Sequence, residues 1–135
     1  MSEQENVQVV QQAFAAFGQG DIPAVLKLLA DNVHWHAFGP SKILPWAGTY
    51  NGPEQVGQFF MALGGAIEFQ QFEPREFIAQ GDRVVALGHS RYTIRANGRV
   101  VEQDWMMVFT IRDGKIADYQ YLEDTAESVA AVQGG

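Results

Sequence analysis

The residues able to move a proton are few and gathered in two places. Asp104, Glu102, His89 and Arg91 lie in stretches that otherwise alternate apolar and polar side chains, and His34 and His36 stand two apart in another. A carboxylate such as Asp104 in an apolar pocket is a candidate acid or base, because burial disfavours its charged form. His36 is of the type that changes charge near neutral pH, so at a pocket mouth it could carry protons. Arg91, Tyr119 or Tyr121 could donate to an oxygen on which negative charge develops. Asp104 and Arg91 also read as a plain cross-strand ion pair. The two readings differ chemically: an Arg91 partner keeps Asp104 ionised, which suits a base and not a proton donor.

Other chemistry is thinly represented. Two histidines spaced by one residue could hold a metal with Asp104 or Glu102, but spacing alone carries little, and no metal is expected. The chain has no cysteine, which removes disulfides, thiolate catalysis and cysteine-based metal sites. No phosphate-cradling glycine loop or nucleotide motif occurs, so no cofactor is implied. The net charge of −7 repels phosphate backbones, which argues against nucleic acid. No apolar run reaches membrane length, and Met1–Asn6 lacks the basic stretch of a signal peptide. A cytoplasmic protein without membrane association is the expectation.

These side chains need elements to hold them. At 135 residues the chain suits one domain, with a core over about residues 6–132. Val7, Val10, Phe14 and Phe17 mark one face of a helix, and Asp21 caps a second with the stripe Ile22, Val25, Leu26 and Leu29. Residues 33–38 read as a strand and 39–52 as a long loop holding Trp46. Pro53 opens a third helix with Val56, Phe59, Phe60 and Leu63 on its stripe. From residue 67 the period changes to two. Residues 67–78, 83–95, 99–111 and 115–122 read as strands, with Asn97-Gly98 and Asp113-Gly114 as hairpin turns and Asp124 capping a last short helix. Helices followed by an antiparallel meander is an α+β order.

Two-residue loops at both turns would set Arg91 opposite Asp104, His89 opposite Met106 and Met106 opposite Tyr121. One face would then carry His89, Arg91, Glu102, Asp104, Met106, Val108, Tyr119, Tyr121 and Glu123, the mixture expected of a pocket. The other would carry Trp105, Met107, Phe109 and Ile111 beside Asp118, Gln120 and Leu122, and is expected to join two copies as a homodimer. A one-residue bulge would exchange these faces.

Gly20-Asp21, the segment Leu28–His36, Ala47–Gly52 before a helix, Arg112–Ile116 and Tyr121–Thr125 resemble the SnoaL-like polyketide cyclases, of the nuclear transport factor 2-like and ketosteroid isomerase-like superfamily. The resemblance spans residues 6–132. It implies a cone: a curved antiparallel sheet with three helices over its concave face. Aligned on the ketosteroid isomerases, the base position falls on His36 and the buried aspartate on Asp104, while the tyrosine position holds Ala13. The SnoaL-like cyclases imply an aspartate acid/base, for which Asp104 is the candidate. The limonene epoxide hydrolases use an aspartate–arginine–aspartate set; here the matching strand has His89 and Arg91, and Tyr121 replaces the distal aspartate.

The expected function is general acid–base chemistry on a small hydrophobic carbonyl compound, covering isomerisation, aldol cyclisation and dehydration. Asp104, His36 and Arg91 would be catalytic. Tyr119, Tyr121, Met106, Val108, Phe59, Trp46 and His89 would line the pocket. Epoxide hydrolysis and non-catalytic binding of a lipophilic ligand remain the alternatives.

Overall fold

The computed structural model describes residues 2–134. Helix α1 (Glu3–Gly18) starts with a reciprocal cap: the Ser2 hydroxyl accepts from the Glu5 amide while the Glu5 carboxylate accepts from the Ser2 amide. Asp21 caps α2 (Ile22–Lys27), which ends before Leu29, because Leu29 already pairs with Ile116 as the first residue of strand β1 (Leu29–Ala37). The long loop contains a short strand, β2 (Gly48–Asn51), that the sequence pattern does not reveal. Helix α3 (Gly52–Ala66) leads into β3 (Ile67–Gln80), β4 (Arg83–Ile94), β5 (Val100–Arg112) and β6 (Lys115–Leu122), and α4 (Thr125–Gln133) follows the Asp124 cap.

The six strands form one curved, open sheet in the order β2-β1-β6-β5-β4-β3. The pairing is antiparallel except between β1 and β6, which run parallel; the sheet is therefore mixed where a wholly antiparallel one was expected. Such a pair needs a long crossover, and α3 with the meander supplies it. Helices α1 and α3 cover the concave face, where Val10, Val33, Val56, Val84, Val101 and Ile116 are fully buried. No described helix is long and apolar enough to cross a membrane.

Both hairpin registers decide the site. Asp113 and Gly114 both have positive φ, 51° and 75°, and close the two-residue turn their types favour. Two residues further the register shifts. Ile111 faces Ile116, but Thr110 faces Asp118, and Ala117 is the extra residue. This bulge puts Tyr119 opposite Phe109 and Tyr121 opposite Met107. The Asn97-Gly98 hairpin is wider than two residues: Ile94 donates to Arg99, and residues 95–98 form the loop. Its side chains are engaged elsewhere. Asn97 donates to the Ala131 carbonyl of α4 at 2.8 Å, and Arg95 to the Gly64 carbonyl at the end of α3 at 2.8 Å. The register thus moves by two, so His89 faces Asp104 and Arg91 faces Glu102.

The bulge exchanges the faces. Trp105, Met107 and Phe109 are buried beneath the helices, with Phe14 of α1 5.8 Å from the Trp105 ring, so they form no interface. His89, Arg91, Glu102, Asp104, Met106 and Val108 do share one face, as expected, but it is the outer one.

Candidate active site

Helices α1 and α3, the strands and the Trp46 loop line a half-open cavity of about 70 Å³, several times the space one water needs. Its walls are mostly aromatic. Phe14 and Phe17 come from α1, Phe59 and Phe60 from α3, and Trp35, Tyr92, Phe109, Tyr119 and Tyr121 from the sheet. Trp35 stacks on Tyr119 at 3.6 Å, a consequence of the β1–β6 register that pairs the two residues. Trp46 is buried at the end of its loop and meets the edge of Tyr92 at 6.3 Å.

Among the described residues, one carboxyl group lines this cavity, that of Glu123, and no lysine, arginine or histidine does. Glu123 follows β6 and precedes the cap of α4, where strand and helix meet. Its Oε2 accepts from the Tyr92 hydroxyl at 2.9 Å, from Gln103 Nε2 at 2.8 Å and from the Ser128 hydroxyl. Three elements, β4, β5 and α4, supply these donors, and all three residues are buried. Gln103 is itself oriented, since its Oε1 accepts from the Asp124 amide at 2.9 Å. The three bonds all end on Oε2, so Oε1 takes none of them. Hydrogen bonds to the charged form offset the cost of holding a carboxylate away from water.

Burial pushes the Tyr119 and Tyr121 hydroxyls well above the usual phenol range, and the nearby Glu123 charge adds to it. Tyr92 is raised by the same two causes in the same order. These phenols therefore stay protonated at neutral pH and can donate hydrogen bonds.

Of the residues expected from sequence, Tyr119, Tyr121, Phe59 and Trp46 line the cavity. The proposed catalytic set does not converge there. The Asp104 side chain is 84% exposed on the outer face, 2.8 Å from His89 Nδ1; Glu102 meets His89 Nε2 at 2.9 Å, and Arg91 lies 3.7 Å from Glu102. His36 points outward and bonds Thr49 at 2.7 Å, while His34 pairs with Asp118 at 3.3 Å. Met106, Val108 and His89 belong to the same outer face, and Met107 takes the wall position expected of Met106. The physical cause is parity: β5 keeps its phase with β4, but the bulge puts the β6 tyrosines in phase with Trp105, Met107 and Phe109. With Arg91 outside, the residues named for epoxide opening are not in the cavity.

Sequence reasoning missed Glu123, Tyr92, Gln103 and Ser128 as a unit. Glu123 was in view, two residues beyond Tyr121 and so in phase with it. Tyr92 alternates with Ser90 and Ile94 on the buried side of β4. Nothing local marks Ser128, which reaches Glu123 only once α4 docks.

Comparison with known proteins gives the lineage. Residues 10–119 match the SnoaL-like domain model. An NTF2-like protein from Burkholderia xenovorans LB400 is 33% identical, with 98% of each chain covered and a TM-score of 0.89. An NTF2-like protein of unknown function from Burkholderia pseudomallei K96243 is 32% identical, again with 98% of each chain covered, at 0.87. TerC, co-crystallised with polyporic acid, is 26% identical over 96% of this chain and 98% of its own, at 0.83. No curated protein matches the chain. The fold and these matches agree: this chain belongs to the SnoaL-like domain family.

Proposed function

We propose that the cavity performs general acid–base chemistry on a small apolar carbonyl compound, with Glu123 as the base. One observation carries this: a lone carboxylate, fixed through one oxygen by three buried donors, opens into an aromatic cavity. Oε1 of Glu123 takes a proton from the carbon beside the carbonyl. The C–H electron pair forms a C=C bond, and the carbonyl π pair moves onto oxygen. Tyr119, held protonated, donates to that oxygen, and Tyr121 steadies the Glu123 carboxylate. The proton returns from Glu123 to the same or another carbon. Isomerisation, aldol closure and dehydration share the first half of this sequence. TerC, which shares the fold, took polyporic acid in its crystals, which supports a small-molecule role for the cavity.

The test uses indanone with its carbonyl next to the benzene ring. In heavy water the protein should accelerate deuterium uptake at the carbon beside the carbonyl, followed by NMR. Glu123→Gln should lower that acceleration by about 10²–10⁴-fold. Binding without any exchange would leave a ligand-binding domain instead.

We also infer that two copies pair through the outer sheet face. Leu87, Met106, Val108 and Leu122 form a half-buried apolar strip there, between Arg83 at one end and Glu102 with Asp104 at the other. A twofold pairing with the two β4–β5 ribbons antiparallel lays each basic end on the partner's acidic end.

A further inference from the structure

Among the described residues, Glu123 has no cationic partner, which a carboxylate in an apolar place usually has. Ion pairs among the described residues join His34 to Asp118, Arg75 to Glu73, His89 to Glu102 and Asp104, Arg91 to Glu102, and Arg95 to Glu68. None includes Glu123, and no basic side chain lines the cavity. Its donors are all neutral: Tyr92, Gln103 and Ser128 hold Oε2, and the Tyr121 hydroxyl bonds the same carboxylate. Tyr92, Tyr121 and Trp46 line the same cavity. Aromatic faces attract cations, more strongly where water is excluded. The molecule as a whole carries −7, so its field draws cations in and repels anions.

A neutral ligand leaves the cavity with one negative charge, before proton transfer and after it. A protonated amine brings that charge to zero. We propose that the cavity also takes small hydrophobic amines in their protonated form. The ammonium N–H donates to Oε1 of Glu123, and the carbons on nitrogen lie against the aromatic walls. Among apolar molecules of equal size, the site then selects by charge: cation first, neutral second, anion last. This rests on the placement of Glu123 in the acid–base reading, but not on the chemistry of that reading.

The test is calorimetric titration of the full chain at neutral pH with four ligands on the indane skeleton. These are aminoindane, indanol, the N-acetyl derivative of aminoindane, and the indane carboxylate, each substituted on the carbon next to the benzene ring. Aminoindane should bind about tenfold or more tightly than indanol, and the carboxylate should bind most weakly. Acetylation, which keeps the nitrogen but removes its charge, should abolish the advantage; this arm needs no variant. Glu123→Gln should remove the advantage of aminoindane over indanol, the ratio of the two affinities falling to about one. Equal affinity for amine and alcohol in the wild type would overturn the proposal, as would an amine preference that survives Glu123→Gln. Loss of the amine preference together with Glu123-dependent exchange of indanone removes this proposal alone. An amine preference without exchange supports it and removes the acid–base reading. Failure of every indane to bind removes both.

Discussion

Glu123 and Asp104 are both carboxylates, and their surroundings make them opposites. Glu123 is held by Tyr92, Gln103 and Ser128 at a cavity wall, whereas Asp104 lies in solvent beside His89. Asp104→Asn should therefore leave the exchange of indanone unchanged and the melting temperature nearly so, since exposed ion pairs contribute little. Its effect belongs to His89. The hydrogen bond that His89 donates to Asp104, and next the one it donates to Glu102, hold the His89 imidazolium above its ordinary range. A raised histidine favours the folded state when protonated. That contribution is complete below the ordinary value near 6.5 and fades as pH rises through the folded-state value. NMR titration of His89 should show a midpoint above the ordinary one, and Asp104→Asn should bring it down. An unmoved midpoint in that variant would show that Asp104 does not act on the ring.

At the scale of elements, the site depends on how β4 and β5 stack their side chains. Gly88 faces Trp105 across this pair, and the Trp105 ring lies over the glycine, stacked on Phe72 at 5.0 Å. A methyl group at position 88 would overlap the Trp105 ring and lie 2.5 Å from the Glu73 carbonyl oxygen. The backbone oxygen cannot swing away as a long side chain would. Gly88→Ala should destabilise the fold by about 1–3 kcal/mol or more, as overpacked cores do, and thermal melts would measure it. A melting temperature equal to that of the wild type would mean that Trp105 has room to move, and that the cavity wall is softer than its packing implies. The helices matter in a different way. α4 packs Val129, Ala131 and Val132 against the core, delivers Ser128 to Glu123 and is tied back to the β4–β5 loop through Asn97.

For the whole molecule, the curved sheet has two unlike faces. Its concave side makes the cavity, and its outer side carries an apolar strip between charges of opposite sign, where the proposed pairing would form. Light scattering at micromolar concentration should report a dimer, and Met106→Lys should yield a folded monomer, because a charge would enter the centre of the strip on both sides of the twofold. A monomeric wild type would exclude the pairing. The interface drawn from sequence through Trp105, Met107 and Phe109 is excluded already, since the helices cover those side chains.

Local chemistry was enough to specify the helices and every strand but β2. Helical spacing at Val7, Val10, Phe14 and Phe17, the Asp21 and Asp124 caps, Pro53 and the Asp113-Gly114 turn all act within a few residues, and the structure has helices and a turn where they point. Parity along each strand was equally legible, so His89, Arg91, Glu102 and Asp104 were correctly kept together. Which face turns inward was not, because one extra residue at Ala117 inverts the phase of β6 against β5, and no local signal announces a bulge. The width of the Asn97-Gly98 loop was decided by partners on α3 and α4 that lie far away in the chain. The same holds for the site itself. Tyr119 and Tyr121 could be named from their strand, but the cluster around Glu123 joins residues from β4, β5 and α4. It exists only after the sheet has curved and the last helix has docked, so it is a product of tertiary contacts and not of any one segment.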